Sequence, residues 1–271
     1  MLGAAGVVLA ALIATGGLLR PLEEPAWREL RGREPALQLE ALEGALGQGV
    51  TVGLLGGFRA LLADLLWIRT NVVWERRDLP ATQTLIKLVT AVDPRPLYFW
   101  LNGARMIAYD MPNWRIVARG GYHVVPATVQ AAIDEEQAQV ALQFLRAAQR
   151  FHPEAAVLEI EIANVHLNRR KDVAAAAAAY RVAAEMPGAP FYAARIYAEL
   201  LRRQGRLEEA YAWLCELYPT LPRARPEAVL TPAEIWRMEQ AMAPVVLSRI
   251  RELEAELKVP PERRFDVSAA P

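Results

Sequence analysis

From Phe58 onward the apolar residues recur at three- and four-residue spacing. Leu61, Leu62, Leu65, Leu66, Ile68 and Val72 mark a first helix of this kind. Leu79 and Pro80 open a second, because proline suits the first turn of a helix; Thr82, Ile86 and Val89 are its inward positions, and Asp93-Pro94 ends it. PLYFWLNGARMIAYD predicts a third helix. EEQAQVALQFLRAAQRFHP predicts a fourth, with Ala141, Leu145 and Ala148 inward and Pro153 at the end. The pattern is clearest over residues 154–222, where one helical hairpin is written twice. Ala163, Ala175, Ala179, Val182 and Pro187 answer to Ala198, Ala210, Leu214, Leu217 and Pro222, each pair 35 residues apart. A small residue lets the two helices of a hairpin approach, a second admits the next hairpin, and proline stops the chain from continuing helical. This register places Ala175 and Ala210 in contacts with no spare volume and turns Ala177 outward. Gly205 in RRQGRLEEAYAWL is the turn between helices.

The two ends of the chain depart from this plan. Leu2 to Leu19 is an uncharged run of 18 residues closed by Arg20 and Pro21, at the lower limit of the length that crosses a bilayer. A cleaved signal and a retained anchor both fit it. The positively charged residues follow the run rather than precede it, which the positive-inside rule associates with a cytoplasmic body; the location expected here is nevertheless extracytoplasmic. Residues 20–48, rich in proline, glycine and charge, form a linker, within which Ala36 to Leu46 fits a short helix. After Pro222 the register is lost. Thr231-Pro232-Ala233-Glu234 is a capping box that starts a further helix, which Pro244 should kink or split and which covers the last apolar face of the array. The tail after Val259 is expected to lack structure.

Between the third and fourth helices the spacing from Pro94 to Pro153 is 59 residues, far more than one hairpin needs. The excess is an insertion at 111–130. Trp114, Ile116, Val117, Tyr122, Val124 and Val125 within it are apolar or aromatic, so it should fold back on the hairpin as a plug or a binding lid. Gly120-Gly121 supplies its bend.

Composition narrows the function classes. Lys plus Arg and Asp plus Glu balance at 31 each, which leaves no basic footprint for nucleic acid. The single cysteine, Cys215, excludes an internal disulfide and a cysteine-based zinc site and fits a small core residue. His123, His152 and His166 are scattered, without metal-ligand spacing. Gly53, Gly56 and Gly57 lack the Lys-Ser/Thr of a phosphate loop. Glu23-Glu24, Glu135-Glu136 and Glu208-Glu209 are adjacent in sequence and therefore point about 100° apart on a helix. No catalytic constellation, cofactor or metal is expected.

The 35-residue hairpin, close to a 34-residue period with small residues at the helix contacts and proline at the end, resembles the tetratricopeptide repeat family. GGFRALLADLLWIRTNVVWERRD and LIKLVTAVDPRPLYFWLNGARMIAYDMPNW are further similar to bacterial membrane-associated tetratricopeptide proteins with an N-terminal hydrophobic segment. The resemblance implies an all-α right-handed superhelix of helical hairpins over residues 49–222, a capping helix at 223–259, a tail at 260–271 and an anchor or signal at 1–19. It also implies an inner groove lined by the first helix of each hairpin. There it places Trp67, Asn71 and Trp74, then Arg105 and Tyr109, then Asn164 and Asn168, then Arg195 and Arg202. Aromatic faces beside Asn and Arg donors suit an extended peptide or helix of a protein partner. The expected role is a membrane-anchored adaptor in an envelope complex, with Trp114 and Tyr122 of the insertion as further contacts. The alternative is an integral subunit of a larger membrane assembly that buries its outer face.

Overall fold

A computed structural model describes residues 58–221 and 233–267, with side chains in the second segment from Met242 onward. The anchor, the linker and the start of the C-terminal segment as read above lie outside the described residues. Among the described residues every regular element is helical, and no helix is long and apolar enough to cross a membrane. The chain folds as two compact units, one ending at Gly103 and the other starting at Ala104.

The first unit contains α1 (Arg59–Glu75) packed on α2 (Leu79–Val92), followed by the beginning of α3 (Leu97–Arg105). Asp78 caps α2, its carboxylate accepting from the Ala81 amide at 3.1 Å, which satisfies one of the donors every helix start leaves over. The turn into α3 is pinned where Trp100 Nε1 donates to the Pro94 carbonyl at 2.8 Å and Arg95 pairs with the buried Asp93 at 2.9 Å. Ala63, Leu66, Trp67, Thr70 and Val73 form the inward face of α1. Trp67 therefore belongs to the core, with ring centroids 5.7 Å from Tyr98 and 5.3 Å from Phe99, and does not line an open groove. Its place follows from falling four residues after Ala63, on the same stripe. By contrast Leu61, Leu65 and Ile68 are each more than half exposed.

The second unit carries the helical path on without a break. A π-helical turn at Met106–Asp110 leads directly into α4 (Met111–Val117). A nine-residue turn then reaches α5 (Ala127–Gln149), a helix of 23 residues. The proposed insertion at 111–130 is thus no loop folded over a hairpin. It is the two helices of that hairpin prolonged, α4 lying against α5.

Next come α6 (Ala156–Val165), a second π-helical turn at His166–Arg170, α7 (Val173–Glu185), α8 (Phe191–Arg203) and α9 (Leu207–Leu217), each packed on its neighbours in the chain. Lys171, at φ +56°, reverses the chain after the second π turn, and Asp172 caps α7 through the Ala175 amide at 2.9 Å.

That π turn corrects the repeat register. α6 and α8 start at 156 and 191, but α7 and α9 start at 173 and 207. The first helices of the two hairpins are therefore offset by 35 residues and the second helices by 34. A π turn holds one residue more than an α turn spanning the same ladder, since its hydrogen bonds run five rather than four residues along the chain. Ala176, fully buried, takes the slot equivalent to Ala210, and Tyr180 that of Leu214. Ala175 is only half-buried. Ala177, expected outside, is buried, and Val182, expected inside, is 44 % exposed, with Ala183 buried in its place.

Beyond Leu221 the described chain resumes in α10 (Ala233–Glu256), which packs on α9 and runs through Pro244 as one helix. The tail is ordered as far as Val267, against the expectation for 260–271. Its Phe265 ring stands edge-on to Tyr218 at 5.4 Å, and its Phe265 amide donates to the buried Glu254 carboxylate at 2.7 Å. Arg251 and Tyr211 donate to the same carboxylate. One aromatic and one buried acceptor suffice to hold a segment whose composition is polar.

Burial pushes the Glu254 carboxyl up, but Arg251 and the Phe265 amide together outweigh it and hold it below the usual range. Its contribution is therefore complete above the ordinary carboxylate pKa and lost as pH falls through the lowered value. The tail is expected to open at acid pH, read as faster hydrogen exchange at Phe265. Glu254→Gln should weaken protection already at neutral pH; equal protection at all pH values in both proteins would show that the carboxylate does not hold the tail.

Candidate functional site

The two π turns lie at the centre of a polar cluster in the second unit. The first has a cause in the sequence. In a regular helix the carbonyl of Ala108 would accept from residue 112, which is Pro112 and has no N–H, and the proline ring would crowd that carbonyl. Widening the helix at Met106–Asp110 relieves the crowding and leaves carbonyls to be satisfied from elsewhere. Arg169, from the second π turn, does so. Its Nε donates to the Ala108 carbonyl at 2.7 Å and its Nη2 to the Tyr109 carbonyl at 2.9 Å. Its guanidinium carbon lies 5.1 Å from the Tyr109 ring centroid, and it pairs with Asp134 at 3.4 Å.

Around this clasp the side chains form a row. Arg105, largely exposed, donates through Nε and Nη2 to the buried Glu161 at 3.2 and 3.0 Å. Burial pushes the Tyr109 hydroxyl up while its hydrogen bond with Asn168 pulls it down. Tyr180 donates to Asn164 Oδ1 at 2.7 Å, and burial raises its hydroxyl to about 12, so it stays protonated and keeps the donor role. With its oxygen so engaged, the Asn164 amide N–H groups have no partner among the described residues. Tyr192, 39 % exposed on α8, is close enough to influence both Arg105 and Tyr180.

The row runs on into a shallow cleft between α8, α9 and α10, lined by Arg195, Glu199, Arg202, Leu214, Arg249 and Glu252 among others. Arg202 closes on Glu199 with two bonds of 2.9 Å, joined by Arg203 at 3.2 Å; these partners hold the Glu199 carboxyl below its usual range. Arg249 pairs with Glu252. Arg195 alone among these arginines has no hydrogen-bond or ion-pair partner among the described residues.

Of the residues singled out from sequence, Arg105, Tyr109, Asn164 and Asn168 come together here, with Arg195 and Arg202 in the adjoining cleft. Trp67 is core, while Asn71 and Trp74 are half-buried on α1 of the first unit. Trp114 is half-buried on α4, and Tyr122 is exposed beyond its end. Sequence reasoning missed Glu161, Arg169 and Tyr180. Glu161 carried a signal, being a carboxylate inside the apolar run AVLEIEIANV. Arg169 carried none, because its targets are backbone carbonyls some 60 residues earlier.

The cluster combines fixed donors, ring faces and, in Arg195, one guanidinium without an ion-pair partner among the described residues. Among the described residues no group of His, Cys, Asp and Glu could hold a metal ion. No family model matches the chain, and no curated protein matches it.

Proposed function

We propose that the chain is a tetratricopeptide-like adaptor that holds an extended segment of a partner protein along the face formed by Arg105, Tyr109, Asn164, Asn168, Tyr192 and Arg195. On this reading the hairpins wind into a right-handed superhelix with that face inside. The run at 2–19 anchors the protein in a bacterial envelope membrane, the body lies outside the cytoplasm, and no reaction is catalysed.

The observation that carries the proposal is a row of donors with free valence, one held by a second partner and one beside it without any. Asn164 is fixed through its oxygen and offers its N–H groups, and Arg195 is unpaired beside arginines that are neutralised. Donors already fixed in place bind with little ordering cost, and Arg and Tyr are the residues that most often dominate protein interfaces. π turns, rare overall and frequent at functional sites, add support.

The double variant Arg195→Glu, Tyr192→Ser is expected to abolish recovery of the partner from detergent-solubilised membranes while leaving the melting temperature unchanged, since neither side chain is buried. Undiminished recovery would rule out this face as the binding surface. A second reading rests on one specific observation, the exposed Leu61, Leu65 and Ile68 of α1. That apolar stripe suits a subunit whose outer face is covered in a larger assembly.

A further inference from the structure

The end of the α4–α5 hairpin combines a rigid interior with an apolar exterior. Inside, Ile116, Val125 and Ile133 are buried against one another. Gln130 Nε2 spans the turn, donating to the carbonyls of Tyr122 at 2.9 Å and Val125 at 2.7 Å, and the Tyr122 hydroxyl donates to Asn113 Oδ1. Gly120 and Gly121, at φ +103° and +88°, turn the chain where a Cβ would be strained. A Cβ on Gly120 would in addition meet Val124 at 3.1 Å.

This tightly tied turn nevertheless points apolar groups at water. Val124 is 67 % exposed, Val117 49 %, Tyr122 48 % and Val129 38 %. Its charge is one-sided. From Met111 to Ile133 there is no Asp or Glu, while Arg115, Arg119 and His123 are present. Arg115 is occupied by Glu136 at 2.7 Å; Arg119 is exposed and has no ion pair among the described residues.

We propose that this hairpin end docks into the interfacial region of an anionic lipid bilayer, with Val117, Val124 and Val129 entering the acyl boundary and Tyr122 and Arg119 at the headgroups. An exposed patch of four side chains falls far short of the roughly 1,000 Å² that a specific protein interface buries. A bilayer needs no matching concavity. It takes up small apolar side chains, places tyrosine at its polar boundary, and attracts the exposed Arg119 when it carries negative lipid. The rigid interior means that no ordering cost opposes insertion. The inference does not depend on what the polar row holds.

The test uses the full chain with Cys215→Ala and a single spin label at Val124→Cys. It is mixed with vesicles of phosphatidylethanolamine and phosphatidylglycerol, with a label at Glu208→Cys, exposed on α9, as control. Collision with dissolved oxygen relative to a water-soluble nickel chelate is expected to rise severalfold at position 124 on adding vesicles and to stay constant at 208. Adding Val117→Asp and Val129→Asp should abolish the rise with the chain still helical and still folded by thermal melt. Position 124 remaining equally open to the nickel chelate with vesicles would overturn the proposal. So would shielding of 124 that is already present without lipid and grows with protein concentration, because the occupant would then be a second copy of the chain.

Discussion

Replacing Arg169 with alanine is expected to destabilise the second unit by roughly 3 kcal/mol, the scale of losing two hydrogen bonds from a charged donor to backbone acceptors. At about 2–4 °C per kcal/mol for a domain of this size, the melting temperature should fall by about 10 °C. The carbonyl of Ala108 cannot be rescued by a regular bond within its helix, because Pro112 has no N–H to offer it. Arg169→Lys should recover little. An ammonium keeps the charge for Asp134 but cannot reach two adjacent carbonyls as a planar fork does. Hydrogen exchange localises the effect: amides of the Met106–Asp110 turn and α4 should speed up more than those of α8 and α9. An alanine variant that melts with the parent would show that the clasp is incidental to the turn.

The second large effect is a matter of register. Ala176→Leu is expected to cost about 1–3 kcal/mol by overpacking the contact between α6 and α7, since Ala176 has no exposed surface. Ala175→Leu, one residue earlier and half-buried, should cost much less. Ala210→Leu in the equivalent slot of the next hairpin should behave like Ala176→Leu. Thermal melts of the three variants decide it. A larger loss at Ala175 than at Ala176 would place the extra residue of the repeat after α7 rather than in the π turn.

The helical character of the chain was legible because it rests on periodicity, which is local. Thr82, Ile86 and Val89 on α2 and Ala163, Ala198 and Ala210 in the two later hairpins read correctly as inward positions, since each follows from three- and four-residue spacing inside one helix. What failed depended on partners distant in sequence. Pro112 reads locally as the end of a helix, and MPNW as the beginning of a loop. The helix continues because an arginine from another element satisfies what the proline leaves open. The one-residue slip at Ala175–Ala177 arises because α7 begins 14 residues before Pro187 whereas α9 begins 15 before Pro222, so counting back from the two prolines falls one residue short in the first hairpin.

The polar row was half legible. Arg105, Tyr109, Asn164 and Asn168 share a face by helical spacing, and their residue types suggested a groove. Glu161 and Tyr180, which hold Arg105 and Asn164 in position, are buried and were not singled out. Trp67 shows the reverse error: its residue type suggested a binding contact, and its place on the Ala63–Val73 stripe made it core. The ordered tail was missed because a single aromatic, Phe265, decides its fate, whereas composition averages over twelve residues.

The second π turn also bears on how the chain tolerates change in length. A π turn differs from an α turn by one residue, so deleting any one of His166 to Arg170 leaves a sequence that can close as ordinary helix and restore the 34-residue spacing to the next hairpin. Residues on either side of the gap would then differ by one step, about 100°, around the helix. A single-codon deletion at this place should therefore keep the hairpin helical while costing the second unit what loss of the Arg169 clasp costs, since Asn168 and Arg169 could no longer face Tyr109 and the carbonyl of Ala108. Changes in length would here separate the register of the hairpins from the polar row they carry.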